Sequence, residues 1–165
     1  MPNRNQIGLA GEFAVLSQLL FRGFDANITL GNTKSVDILV SNPDTGRGCR
    51  VEVKTGSKKL GKRSQWGPTY GWRMHKKHEI ISNRNLFYCF VFMDKEGGSL
   101  ESKFFVLSSK AVSDYVKEEH SWWRSQRKRN KTTERTFRLG TDNKFKYPVR
   151  TPLASRYENR WQTLG

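Results

Sequence analysis

Apolar positions near the start of the chain follow a helical spacing. In the segment NQIGLAGEFAVLSQLLFRG, Leu9, Phe13, Leu16 and Leu20 recur every three or four residues. This spacing is typical of one face of an amphipathic helix, and Gly23 follows as a stop signal. We therefore predict that the fold opens with a helix and that these four residues form its buried stripe.

Farther along, the apolar spacing shortens to that of strands. The segments FDANITL (24–30), SVDILVS (35–41) and CRVEVKTG (49–56) each read as a strand, and the turn-rich link NPDTGRG joins the second to the third. With such short connections, the three segments predict an antiparallel meander.

The remaining elements complete an α/β pattern. LFYCFVFM (86–93) is a nearly unbroken apolar run of the kind buried on both faces of a sheet. KFFVLS (103–108) predicts another strand, and Ser108 or Ser109 can cap a following helix through KAVSDYVKEEH. Near the end, SRYE (155–158) has capping-box spacing and predicts a short helix. Tyr157, Trp161 and Leu164 would share one face of that helix.

These elements predict an α/β fold in the order helix, three-strand antiparallel meander and further strands, with a mixed central sheet flanked by helices. Between the meander and the later strands, residues 57–79 are polar and basic. They predict an irregular excursion of the chain, without regular secondary structure. At 165 residues, the length suits one domain. We expect a core over about 1–120 and a basic C-terminal extension over about 121–165 packed on it.

Charge narrows the classes of partner. The formal net charge is +15, and an excess this large usually serves a polyanion. Nucleic acid is the first candidate, an anionic membrane surface the second, and a merely solubilising surface the least favoured. We find no signal peptide and no run long enough to cross a bilayer, and Cys49 and Cys89 resemble buried thiols of a reducing compartment. A cytoplasmic protein is expected.

Glu52 and Lys54 break the apolar alternation of the third strand. Residues two apart share a face, so these two stand together while Val51 and Val53 face the other way. Either they form a salt-bridged solvent face or they belong to a site. A regular hairpin centred on Asp44–Thr45 would set Asp37 opposite Glu52, with Cβ atoms about 5 Å apart. Two such carboxylates repel unless a cation lies between them, and Lys54 and a divalent metal are both candidates.

A third acid lies on the predicted helix. Glu12 borders the apolar stripe, and Gly8 and Gly11 beside it would allow a close approach to a sheet. A carboxylate at a helix–sheet contact is costly unless it is paired or coordinates a metal.

Glu12 on a first helix, Asp37 on a second strand and Glu52-Val53-Lys54 on a third resemble the PD-(D/E)XK nuclease superfamily. The pattern is most similar to that of small Holliday-junction-resolvase-like and restriction-endonuclease-like proteins. Residues 1 to about 110 follow the α-β-β-β-(α)-β order of that family's core, so the resemblance implies a restriction-endonuclease-like core. The resemblance implies that Asp37, Glu52 and the carbonyl of Val53 bind Mg²⁺ or Mn²⁺, that Glu12 completes the metal shell directly or through water, and that Lys54 orients the attacking water or stabilises the phosphate.

The pattern departs from the family in one place, because Asp37 follows Val36 rather than proline. Taken singly, each residue also has an ordinary structural interpretation. Glu52 and Lys54 could form an exposed ion pair, Asp37 could cap a turn, and Glu12 could be a solvated helix residue.

Cations and aromatic residues indicate where nucleic acid would bind. The predicted contacts are Lys58, Lys59, Lys62, Arg63, Trp66, Arg124, Arg127, Lys128, Arg129 and Lys131. Contacts of this kind set affinity and salt dependence rather than sequence preference. Trp66, Tyr70 and Trp72 could stack on bases or instead pack their loop onto the sheet. The histidines of HKKH (75–78) lack ligand spacing, and we interpret the segment as basic surface.

The leading hypothesis is a metal-dependent endonuclease that hydrolyses phosphodiester bonds in branched or specific duplex DNA. The alternatives are a nucleic-acid-binding module without catalysis and a structural RNA-binding protein. Cleavage of both strands would normally require a symmetric homodimer, for which the sequence indicates no interface.

Overall fold

The computed structural model describes residues 2–29, 36–56, 59–61, 64, 66–96, 99–126, 132–142 and 147–165. Helix α1 spans Arg4–Phe21, as predicted, and Asn3 and Gln6 cap it with reciprocal hydrogen bonds. Three strands follow as the predicted meander: β1 (Asp25–Ile28), β2 (Ile38–Ser41) and β3 (Gly48–Gly56).

Two further strands, β6 (Leu86–Glu96) and β7 (Ser99–Ser108), extend the meander into a five-stranded sheet of order β1-β2-β3-β6-β7. Strand β6 runs parallel to β3 and antiparallel to β7. Cys89 and Phe90 point to opposite faces of β6, yet both are fully buried. The predicted mixed α/β sheet, with a central strand buried on both faces, is therefore confirmed.

A second sheet lies where an irregular excursion was predicted, so that prediction is wrong. Strands β4 (Lys59–Leu60), β5 (Thr69–His75) and β8 (Glu134–Gly140) form an antiparallel sheet of order β4-β5-β8. In β5, Tyr70, Trp72 and Met74 are buried and alternate with the less buried Gly71 and Arg73. This two-residue period is the signature of a half-buried strand.

Helix α2 spans Ser109–Ser125, and the hydroxyl of Ser108 accepts a hydrogen bond from Ala111 N–H at its start. The short C-terminal helix predicted through Tyr157 and Leu164 is replaced by two 3₁₀ turns, Ala154–Arg156 and Trp161–Leu164. Between them the chain runs beside β7, since Val106 N–H donates to the carbonyl of Tyr157. That bond draws the segment into extended pairing and prevents one continuous helix.

The central sheet is covered on both faces. Against one face, Val15 and Leu19 of α1 pack on Val51, Val53 and other aliphatic residues. The opposite face carries an aromatic core, to which β5, β8 and α2 contribute; its largest members are Trp72, Tyr88, Phe90, Phe105 and Phe137. Neither described helix has the combined length and apolar character needed to span a bilayer.

Of the four residues in its predicted stripe, helix α1 packs Leu16 against the core but leaves the other three largely exposed. Leu9, Phe13 and Leu20 are each more than half exposed, whereas Gly11, Val15 and Leu19 face the sheet. The reason is close approach: a Cβ atom built on Gly11 would lie 1.8 Å from Oγ1 of Thr55 in β3. The helix face that contains Gly11 therefore packs against the sheet, because it allows a closer approach than the face that carries the larger apolar residues.

Candidate active site

The β2–β3 hairpin has the predicted register up to its last pair. Ile38 pairs with Val51, so the next pair would be Asp37 with Glu52. Instead, Asp37 N–H donates to the carbonyl of Val51 at 3.0 Å, and the Asp37 carboxylate accepts a 2.6 Å hydrogen bond from Val53 N–H. Asp37 thus lies along the free edge of β3, where β2 no longer pairs with it, rather than on the face beside Glu52.

The backbone of Val53 opens to the same edge. The carbonyl of Val51 points toward β2, and in a strand the residue two positions on points its N–H and carbonyl to the same side. The Val53 carbonyl and the Asp37 carboxylate are therefore neighbours at the point where the ladder ends.

Glu52 stands on the aromatic face of the sheet and is only 2% exposed. Its Oε1 lies 2.7 Å from Nζ of Lys54 and 3.8 Å from Nζ of Lys77. Because the carboxylate is buried, an exposed surface ion pair is excluded as the explanation of Glu52 and Lys54. Lys54 supplies the positive charge nearest to Glu52, while its own side chain is 25% exposed.

Electrostatic coupling joins the three acids. Burial would raise the pKa of Glu52, but Lys54 and the more distant Lys77 lower that pKa below its usual value. Burial raises the pKa of Asp37 against the opposing effects of its bond to Val53 N–H and of Lys54, and the charge of Glu52 raises it further. The pKa of Glu12 is also raised, first by burial and then by Asp37. Asp37 and Glu12 therefore lie where a further positive charge would stabilise their ionised forms.

Three neighbours of Glu52 escaped the sequence analysis: Lys77, His78 and Tyr88. The interpretation of all of HKKH as basic surface is wrong for His78, which is only 1% exposed. Its Nε2 lies 3.8 Å from Oε1 of Glu52, and its Nδ1 shares a 2.7 Å hydrogen bond with the Tyr88 hydroxyl. Burial lowers the pKa of His78 to about 4, so the ring is neutral at pH 7.

Among these three residues, Tyr88 is the one whose position in the sequence could have predicted a polar cluster around Glu52. It lies within the buried run of β6, directly beside Glu52 in the β3–β6 ladder. A buried tyrosine usually needs a partner for its hydroxyl. Burial, followed by the nearby charge of Glu52, raises the pKa of Tyr88, which keeps the hydroxyl protonated.

Most of the predicted nucleic-acid contacts lie outside the described residues. These are Lys58, Lys62, Arg63, Arg127, Lys128, Arg129 and Lys131. Lys59 lies in β4, and Arg124 is exposed in the last turn of α2. Both stay predicted contacts.

The three aromatic residues of the basic segment separate into two kinds. Tyr70 and Trp72 belong to the aromatic core. Of the two alternatives, base stacking and packing against the sheet, these two residues therefore pack. Trp66 is partly buried, and the Arg138 guanidinium lies 4.5 Å from its ring centroid. Arg138 therefore covers one face of that ring, and base stacking by Trp66 stays a prediction.

The oxygen atoms that could hold a divalent cation come from Asp37, Glu52, Glu12 and the Val53 carbonyl. Within the described part of the chain, no three histidine, cysteine, aspartate or glutamate side chains are grouped closely enough to hold one metal ion. A metal bound here would therefore need the backbone carbonyl, water or phosphate oxygens as well, and Glu52 would have to share its carboxylate with Lys54.

Comparison with known proteins supports the fold. No protein-family model matches the chain, and no curated protein matches it by sequence. Among solved structures, the fold is similar to that of a bacterial homing endonuclease, I-Ssp6803I, with a TM-score of 0.58. Sequence identity is 15%, and the match covers 98% of this chain and 91% of the endonuclease chain. The chain therefore has a nuclease-like fold, similar to that of this endonuclease over nearly its whole length.

Proposed function

We propose that the protein is a divalent-metal-dependent DNA endonuclease of the PD-(D/E)XK superfamily. The observation that carries the proposal is the position of Asp37 and the Val53 backbone at the free edge of β3, next to the buried Glu52–Lys54 pair, with Glu12 electrostatically coupled to Asp37 and Lys54. The similarity of the whole fold to a homing endonuclease adds support. The two together connect an acidic site to phosphodiester hydrolysis, which neither would do alone.

The residues fit Mg²⁺ or Mn²⁺. Oε2 of Glu52 is buried, and no described residue forms a hydrogen bond with it in acceptable geometry, although the Tyr88 hydroxyl lies near. A buried carboxylate oxygen without a partner is costly, and a cation would satisfy it. Hard cations of this size prefer carboxylate and carbonyl oxygens and retain waters that a phosphate can replace.

Asp37, Glu52 and the Val53 carbonyl would hold the cation, with Glu12 in contact directly or through a bound water. When bound, a divalent cation lowers the pKa of a coordinated water and neutralises charge that develops on phosphate oxygens. Nζ of Lys54 lies at the border between the buried Glu52 and solvent, so it can donate a hydrogen bond to the attacking water or to a phosphate oxygen. Glu52 in turn keeps that ammonium in place.

DNA is the proposed substrate. A net charge of +15 suits a polyanion, and a carboxylate cluster can approach phosphate only once a cation has neutralised it. Cleavage of both strands would need two such sites, which we propose a homodimer provides.

Cleavage assays test the proposal directly. Supercoiled plasmid and labelled duplex, flapped and four-way DNA would be incubated with Mg²⁺, Mn²⁺ or EDTA. Asp37→Asn and Glu52→Gln preserve side-chain shape and should each lower cleavage by at least about 10²–10³-fold. Asp25→Asn makes the same chemical change on an exposed residue of β1 and should leave cleavage unchanged. Metal-independent cleavage, or full activity of Asp37→Asn, would refute the proposal.

A nucleic-acid-binding module without catalysis is the second candidate. It is favoured by the Lys54–Glu52 ion pair, which satisfies Glu52 Oε1 without a metal, and by the lack of a three-ligand cluster among the described side chains. If the protein binds these DNAs but cleaves none of them with either metal, this alternative replaces the enzyme.

A further inference from the structure

A cleft of about 600 Å³ opens beside Lys54. Its described lining residues do not include Glu12, Asp37 or Glu52. One wall is the start of α1, where Arg4 and Ile7 line the cleft. Lys54–Gly56 of β3 form the floor, and Gly71–His75 of β5 with Glu134 of β8 form the other wall. The motif residue Lys54 is thus shared between the acidic site and this cleft.

The charge of the lining is predominantly positive. Arg4 lies on the α1 wall, Arg73 on the β5 wall and Lys54 on β3, and Glu134 is the one acidic residue among the described lining residues. Arg73 NH1 lies 3.2 Å from Oε1 of Glu134, and both side chains are more than half exposed. An ion pair this exposed contributes little to stability and exchanges readily for another anion.

Two of the lining residues are glycines, which project no side chain into the cleft. Gly56 and Gly71 both line it, and a Cβ atom on Gly56 would lie 3.1 Å from the Trp72 ring. The buried Trp72 therefore closes the base of the cleft beneath Gly56, and no long side chain rises between the two cationic walls from these positions.

We propose that this cleft binds the sugar–phosphate backbone of DNA beside the bond to be cut, with Arg4 and Arg73 each contacting a phosphate. The inference rests on the proposed function, because Lys54 then marks the position of the reacting phosphate. Glu134 acts as a competitor for Arg73 in the absence of DNA. Arg4 and Arg73 belong to none of the basic segments that the sequence singled out.

Binding to a labelled duplex in EDTA, measured by fluorescence anisotropy at several salt concentrations, tests the cleft without requiring cleavage. Arg4→Ala and Arg73→Ala should each weaken binding roughly three- to tenfold and lower the slope of log affinity against log salt by about 0.9, the value for one phosphate contact. Glu134→Gln should tighten binding, since it frees Arg73. Arg156→Ala, a change of equal charge at an exposed residue outside the lining, is the matched control.

The proposal is overturned if the Arg4 and Arg73 variants bind like Arg156→Ala, or if Glu134→Gln weakens binding. Thermal unfolding of each variant verifies that the fold is intact. The same preparations are assayed for cleavage, which separates the two proposals. Cleavage with arginine-independent binding refutes the cleft alone. Arginine-dependent binding without cleavage by the unmodified protein refutes the enzyme and supports the cleft as a binding surface. Failure to bind DNA in EDTA refutes the cleft, whereas the enzyme is refuted only if no DNA is cleaved with either Mg²⁺ or Mn²⁺.

Discussion

Glu52 and Glu119 are both almost fully buried, and each forms an ion pair, yet the two pairs differ in how completely they are enclosed. Arg138 of β8 reaches Glu119 of α2, and both residues are at least 94% buried. The ring of Trp66 covers the Arg138 guanidinium, and the Tyr147 hydroxyl donates to Glu119. One acid faces one base there and the surroundings close over them, although Nε of Arg138 donates no hydrogen bond to the described residues.

The pair at Glu52 is open and carries excess negative charge. Its cation, Lys54, is partly exposed, and Glu52 Oε2 has no hydrogen bond in acceptable geometry from the described residues. Asp37 and Glu12 add two further carboxyl groups, each with its pKa raised chiefly by burial. Burial of an ion pair therefore does not identify a functional site by itself, whereas the excess of carboxyl groups over cations at an open edge is what supports the proposed metal site.

The largest expected contrast is in stability. Glu119→Ala would leave Arg138 buried without a partner and should lower the free energy of unfolding by about 3–5 kcal/mol. Glu52→Ala should cost less than about half as much, because Lys54 can turn toward solvent and Asp37 loses a repelling neighbour. Urea unfolding in EDTA measures both, and Glu118→Ala, at an exposed position of α2, controls for the helix. Equal losses at Glu52 and Glu119 would contradict the distinction.

Lowering the pH should lower the free energy of unfolding, because His78 beside Glu52 is held neutral in the folded state. The pKa of His78 is lowered to about 4 by burial, and by Lys54, Lys77 and His75 against the opposing effect of Glu52; in the unfolded chain the pKa is about 6.5. The unfolded state therefore binds an extra proton between these values. The contribution of neutral His78 to the free energy of unfolding is complete above pH 6.5. It is lost as the pH falls toward 4, by up to about 3 kcal/mol.

Unfolding free energies of the unmodified protein and His78→Gln, measured in EDTA from pH 7 to pH 4, isolate that contribution. Glutamine does not titrate, so the difference between the two proteins should shrink or change sign as the pH falls through this window. Protonation of Asp37 and Glu12 acts in the opposite direction, because their pKa values are raised, but it is common to both proteins. A difference that is independent of pH would show that His78 titrates normally when folded.

Local patterns were sufficient to predict the central sheet. Alternation defined β1, β2 and β3, the apolar run defined β6, and the turn at Asp44–Thr45 set the register of the hairpin. The second sheet was missed because β5 pairs with β8, about sixty residues later. Such pairing leaves no short-range trace, and the glycine, proline and lysine residues around β5 obscured its two-residue period.

In the candidate site, too, residues that are close in sequence were predicted and a residue brought in from a distant element was missed. The nearness of Asp37, Glu52 and Lys54 could be predicted because they lie on a single hairpin, but the turn of Asp37 to the edge of β3 could not, and the assignment of these residues and Glu12 to one site stays a prediction. His78 reaches Glu52 only because β5 and the 3₁₀ turn after it fold over the aromatic face. The buried face of α1 was also mispredicted, since the largest apolar residues do not choose the contact when a glycine permits a closer one.

The smallest expected effect concerns the contact that brings Glu12 to the other acids. Gly11→Ala would place a Cβ atom against Thr55 and should cost about 1–3 kcal/mol of stability. Gly8→Ala lies in the same helix with open space around it and should stabilise by about 0.5–1 kcal/mol. Urea unfolding measures both. If the clash is the cause, adding Thr55→Ala to Gly11→Ala should recover much of the loss, whereas additive losses would show that α1 does not depend on this close approach to hold Glu12 at the edge of β3.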